Sequence, residues 1–297
     1  MEATRSWYWL YELIEEEGLN VKLAHPLKTK LIGEAKIKTD SIDAHVLAQL
    51  ERTRFLPESY IPPKEIRERR ELLRYRILLV ATRTRIKNRV HDIIDKLGIV
   101  YPFSDLFGSK GIDFLRSLSL PNTYQHELNR CLEIIDFIKL KIKEAEKDIM
   151  KILKDDVRAK LLITIPGISH LTAYLLLSEI GEIDRFYSSK KLCSYCGIVS
   201  QTHQTGGKEY HGSITKQGNK FIRWAMIEVA QIATRKDPAL YAFYEKLKRS
   251  KGSGVAIVAV ARKLLVAVYY VLKRGEPYKY NSLCRIHLSK PVEPSDH

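Results

Sequence analysis

The sequence predicts a mixed, mostly helical protein in which a short α/β fragment precedes a long helical middle and a second, mainly helical domain. Three observations predict it. Apolar residues recur at helical spacing from Pro62 onward; a seam alternating by fours and threes runs from Leu128 to Ile152; and the N-terminal region holds one strand-like run between helical patterns. With 297 residues and 45% hydrophobic content, the chain can build two modest domains and is not a disordered tail. The expected boundaries are 1–61, 62–155 and 156–280, followed by a tail over 281–297.

Residues 5 to 17 carry an amphipathic helical pattern ending near Gly18, and VKLAHP at 21–26 reads as a short strand stopped by Pro26. A helix follows in KTDSIDAHVLAQL, with Thr39 or Asp40 as N-cap and Ala44, Leu47 and Ala48 at helical spacing. Asp40 and Asp43 then share a face. Two readings stand side by side: carboxylates favoured by the macrodipole of a first helical turn, or half of a divalent-cation site completed by oxygens from elsewhere. One strand makes no sheet, so further strands are expected ahead of Met1.

The helix after Pro62 keeps an apolar stripe through Ile66, Leu73, Ile77, Val80, Ile86, Val90, Ile93 and Leu97. Arg67, Arg70 and Arg74 form one row on it, and Arg69, Arg76 and Arg83 another. Such rows suit a phosphate backbone; they equally suit a solvated face paired with Glu65, Glu68 and Glu71. The later seam, Leu128, Cys131, Ile135, Ile138, Ile142, Ala145, Ile149 and Ile152, is a heptad repeat that predicts a coiled coil within the chain or between subunits, and with it a homo-oligomer.

The second domain opens with LLITIPGISHLTAYLLLSEIGEI, two apolar helices around a turn at Pro166-Gly167-Ile168. This helix-hairpin-helix-like element can offer backbone N–H groups to a phosphate, or serve only as a structural hairpin. In QTHQTGGKEYHGSITKQGNKFIRWAMIEVA, Gly206, Gly207 and Gly212 permit close backbone approach, with Lys208, Lys216, Lys220 and Arg223 as cations and Thr205, Ser213 and Thr215 as hydroxyls. A flexible surface hairpin would need only the glycines, so the cluster favours a phosphate site.

A formal charge of +15 points to a polyanion, and basic residues spread over the whole length favour nucleic acid over a membrane surface. GVAIVAVARKLLVAVYYVL carries Arg262 and Lys263 at its middle, which suits a buried core helix better than a membrane span. Cysteines 131, 193, 196 and 284 form no disulfide framework, and a single C-x-x-C at 193–196 is a weak zinc signal. MEATRSWYWLYEL lacks the features of a secretory signal, giving a cytoplasmic, nucleoid-associated expectation.

Taken in order, M-E-A-T, the run to His25-Pro26, KTDSIDA, RTRIKNRV, IPGISHLTA with EIGEIDRF, QTGGKEYHGSITKQGNKFIR and AIVAVARKLL resemble the DEDD-type insertion-sequence transposases and the related Piv-like DNA invertases, the IS-one-ten family. The resemblance spans Met1 to about Tyr280. It implies a RuvC-like domain of ribonuclease-H type, whose four acidic residues hold divalent metal, and a C-terminal transposase domain that supplies a serine nucleophile.

Carried onto this sequence, Glu2, Asp40 and Asp43 match three of the four acids, with Mg²⁺ as the implied ion. The first aspartate, on the family's opening strand, has no counterpart, so a truncated domain is expected. Thr205 stands where the family has serine before the glycine pair, and Arg5 where it usually has glycine. A β-branched hydroxyl can attack phosphorus, but with restricted χ1. Lys216 and Arg223 would clamp the DNA backbone, and the family further implies an element-encoded guide RNA. Two functions follow as expectations: metal-assisted DNA cleavage and transfer, or a catalytically impaired relic that only binds nucleic acid.

Overall fold

A computed structural model describes residues 1–4, 6–32, 39–205 and 208–279, without the side chains of 202–211. The chain forms two compact units, Met1–Pro63 and Lys64–His297.

The first unit contains α1 (Trp7–Glu16), α2 (Pro26–Ile32) and α3 (Asp40–Arg52). The strand expected over 21–26 is reduced to two isolated bridges on one residue: Ala24 pairs in parallel with Glu2 and antiparallel with Glu58. Its N–H donates to Met1 O at 2.7 Å, and its carbonyl accepts from Ala3 N at 3.0 Å. Pro26 does not merely stop the run. Lacking an N–H and holding a helical φ, it serves as the first residue of α2. At the start of α3, Thr39 is the N-cap, its Oγ1 accepting from Ile42 N at 3.3 Å. The covered face of α3 runs through Ile42, Val46 and Leu50, while Ala44 and Ala48 are exposed. The larger side chains take the inner face because they remove more apolar area from water.

The second unit begins with α4 (Lys64–Lys96), α5 (Ser109–Ser117) and α6 (Asn122–Leu153). The heptad seam of α6 is spent inside the chain, against α4. Ion pairs Arg76–Glu146 at 2.7 Å and Arg89–Glu127 at 2.5 Å run in opposite order along the two helices, which makes the pair antiparallel. From Leu128 to Ile149 every seam position is buried, but Ile152 is 55% exposed and Leu153 takes its place. A straight helix drifts by about 20° per heptad from a 3.5-residue repeat, so the inward position moves by one residue at the end of the seam.

Next come α7 (Val157–Ile163), α8 (His170–Ile180), a 3-10 turn at Ile183–Arg185, and α9 (Ser189–Tyr195). The hairpin β1 (Ser200–Thr205) and β2 (Lys208–Ile214) leads into α10 (Lys220–Lys236), α11 (Pro238–Lys251) and α12 (Ser253–Arg274). From Ala173 to Ile180 every residue of α8 is buried, as suits a helix that is apolar on all sides. Among the described residues α12 is the one helix long and apolar enough to cross a membrane; nine of its residues are buried, including Val260, Leu264 and Val268 in the main core. Cys193 and Cys196 lie in the same core, and burial pushes both thiols up. Leu73, Ile149 and Leu153 join it as well, so the core crosses the expected 155/156 boundary.

Candidate nucleic-acid interface

The hairpin is antiparallel, with Thr205 opposite Lys208 as its last pair and a bulge between Ser200 and Thr202. Thr205 therefore ends β1 immediately before the loop. Gly206 and Gly207, and the side chains of Thr205 and Lys208, lie outside the described residues. At the base of the hairpin two loops interlock. Lys216 has φ +52°, and its N–H donates to Gly197 O at 3.2 Å; Asn219 N–H donates to Tyr195 O at 2.8 Å. Gly218 has φ +120°, and a Cβ there would fall 2.2 Å from Tyr195 O, so only glycine fits. The Lys216 side chain is exposed.

Beneath this base lies a carboxylate that opens the EIGEIDRF segment. Glu179, at the end of α8, is fully buried. It accepts two bonds from Arg74, at 2.8 and 3.0 Å, and one from Asn219 Nδ2 at 2.7 Å, with Arg70 Nε 3.7 Å away. Arg70 also donates to the carbonyls of Ser178 (2.7 Å) and Glu179 (2.9 Å), the open carbonyls of a helix C-terminus. Asn219 Oδ1 in turn caps α10 by accepting from Phe221 N and Ile222 N. One buried network thus ties α4, α8 and the start of α10 together.

These bonds change the reading of the arginine row. Arg67 and Arg70 are 5% and 6% exposed, and Arg74 is held by Glu179 and stacks on Phe221 at 4.7 Å. The face expected to meet a phosphate backbone is turned into the fold. Two members of the other row are engaged too, Arg69 on Glu65 and Arg76 on Glu146. Arg223 is likewise directed inward, donating to Cys196 O at 2.9 Å as a cap on α9. Of the described basic side chains singled out near the hairpin, Lys216 and Lys220 are open to solvent.

Gly167 has a packing reason of its own. Its φ is +87°, and a Cβ would sit 2.6 Å from Val229 O and 3.1 Å from Ala233 N, so the turn lies directly on the backbone of α10. Ser169 caps α8 by accepting from Thr172 N at 3.2 Å.

The acidic residues are arranged more openly. Glu2 sits at the bridge with Ala24, while Asp40 and Asp43 project from the first turn of α3 and are exposed. Among the described residues no three His, Cys, Asp or Glu side chains are grouped as a metal-binding cluster.

Two family models match the chain. That of the DEDD transposases of IS110 type covers residues 1–99, and that described as "Transposase IS116/IS110/IS902 family" covers 159–245. The chain belongs to the IS110-type transposase family. It is 27% identical to the transposase for insertion sequence element IS1328 of Yersinia enterocolitica, over 78% of this chain and 69% of that protein. It is 24% identical to the transposase for IS1111A of Coxiella burnetii, over 94% and 78% of the two chains. The pilin gene-inverting protein of Moraxella bovis is 36% identical over 41% of this chain and 38% of its own.

Within this IS110-type chain, the match over 159–245 contains Gly167, Glu179, the hairpin and Asn219, while Arg70 and Arg74, which hold Glu179, fall in the match over 1–99. Sequence reasoning missed Glu179 and Asn219. A signal existed for each: Glu179 is a lone acid inside an otherwise apolar helix, and Asn219 stands at an N-cap position before an apolar-periodic run.

Proposed function

We propose that the protein acts on DNA as a transposase or site-specific recombinase, with Thr205 as the attacking hydroxyl. The observation that carries the reading is the register of the hairpin: Thr205 is the last paired residue of β1, at the tip of an arm within the segment matched by the transposase model. In the reaction, Thr205 Oγ forms a bond to the scissile phosphorus and loses its proton to solvent. The displaced sugar oxygen leaves and takes up a proton, so the phosphoester is conserved for later transfer. Lys216, exposed at the base of the arm, supplies a cation for the DNA backbone. An element-encoded guide RNA, implied by the family resemblance, would leave sequence choice to base pairing.

Glu2, Asp40 and Asp43 remain the candidate ligands of a divalent ion on the resemblance alone. Oligomerisation also belongs to the proposal. With the seam of α6 committed to α4, it would use the exposed Ile134, Phe137 and Leu140 of α6.

The test is a denaturant-resistant protein–DNA adduct, formed with Mg²⁺ on a supercoiled plasmid carrying the DNA that flanks the gene. The adduct is expected with wild type and Thr205→Ser and lost in Thr205→Ala; an adduct indifferent to Thr205→Ala overturns the assignment. The open arrangement of the three carboxylates favours a second reading, a nucleic-acid-binding relic, for which salt-sensitive binding without any adduct is the expected result.

A further inference from the structure

At the far end of α10 from the hairpin, helices α10, α11 and α12 enclose an open groove of about 870 Å³. A helix of 17 residues is about 25 Å long, so this groove is separate from the hairpin base. Its walls combine two tyrosines, Tyr241 and Tyr244, with Arg235 and Lys236 and the apolar edge of Ile257. Tyr241 is 54% exposed and both cations are open to solvent.

The floor is formed by the start of α12. Gly252, at φ +83°, precedes it without any side-chain cap, and the first-turn residues Ser253 and Gly254 face the groove. First-turn N–H groups have no partner within their helix, which adds donors to a site already supplied with cations. Asp237 is the one carboxylate in the wall. It is 3% exposed and turned into the start of α11, accepting from Ala239 N at 2.9 Å and Leu240 N at 3.0 Å. From residue 230 to 263 the sequence carries eight Lys and Arg against Asp237 and Glu245. Glu245 is itself paired with Lys248 at 3.1 Å.

An accessible tyrosine ring beside cations and first-turn amides matches one class of ligand: a polyanion with exposed π-faces. A duplex keeps its bases stacked away from such rings, whereas a single strand can present them. We propose that this groove binds single-stranded nucleic acid, with Tyr241 stacking on a base, the half-buried Tyr244 lining the wall behind it, and Arg235 and Lys236 holding the adjacent phosphates. The inference rests on the reading that the protein works on nucleic acid, and not on strand cleavage.

The test uses the full chain in EDTA, with fluorescence anisotropy on a labelled oligo(dT), an oligo(U) of equal length and a DNA duplex. Tyr241→Ala is expected to weaken single-strand binding by about tenfold and leave duplex binding unchanged. Tyr241→Phe, which keeps the ring, should bind as wild type, and Arg235→Gln with Lys236→Gln should flatten the salt dependence. Tighter binding of oligo(U) assigns the groove to RNA, and of oligo(dT) to an exposed DNA strand. Equal losses on single strand and duplex, no loss in Tyr241→Ala, or an equal loss in Tyr241→Phe would each overturn the proposal. If the binding pattern holds but no covalent adduct forms, the groove stands and the cleavage reading falls.

Discussion

One carboxylate of the second unit is placed in the opposite way from a pair in the first. Among the described residues of 1–63 the buried apolar side chains are Leu23, Ala24, Leu50 and Pro62, and Asp40 and Asp43 stand in solvent on the first turn of a helix. In the second unit one core joins 33 buried residues, and Glu179 sits fully buried beside it, satisfied by Arg74 and Asn219. An exposed acid at a helix start costs little and is set by local sequence alone. A buried one persists only where the fold supplies opposite charge and hydrogen bonds, so it marks a junction that tertiary structure has organised.

The largest expected effect breaks that junction. Glu179→Ala leaves Arg70 and Arg74 without their buried counter-charge and should lower the unfolding free energy by about 3–5 kcal/mol, read from urea denaturation. Glu179→Gln, which keeps an oxygen acceptor, should lose less. A Glu179→Ala protein as stable as wild type would show that the network carries no weight.

Next in size is Gly167→Ala, which probes the same junction without touching charge. The new methyl would meet Val229 O at 2.6 Å on a backbone held at φ +87°. A loss of about 1–3 kcal/mol is expected, seen as a lower Tm. An unchanged Tm would mean that the turn does not bear on α10 as closely as described.

How much of this was legible in the sequence follows from the range of the interactions. The cap at Thr39 and the seam of α6 were readable because each is written within a few neighbouring residues or in a repeating spacing. The strand at 21–26 was overestimated, since alternation promises a ladder only where partners exist, and Ala24 finds one residue on either side. The arginine row was correctly placed on one helix, but spacing does not say which face another element will cover. Glu179, which covers it, lies 105 residues from Arg74. Cationic residues at regular intervals look the same whether they await a phosphate or hold a buried carboxylate. Only the pairing separates the two, and that pairing is long-range.

The smallest expected effect on stability falls on the exposed pair, and it carries the most information about chemistry. Asp40→Asn and Asp43→Asn each remove a favourable charge from the N-terminal turn of α3, worth a few tenths of a kcal/mol and weakened further by salt. Thermal unfolding should therefore hardly move. If the carboxylates are only helix-start charges, the Mg²⁺-dependent adduct of the wild-type protein survives both changes. If they are ligands, the adduct is lost while the fold stays intact. Glu179→Ala admits no such separation, because removing the buried charge unsettles the fold that any activity would need. The exposed site is the place where a loss of activity can be read as chemistry alone.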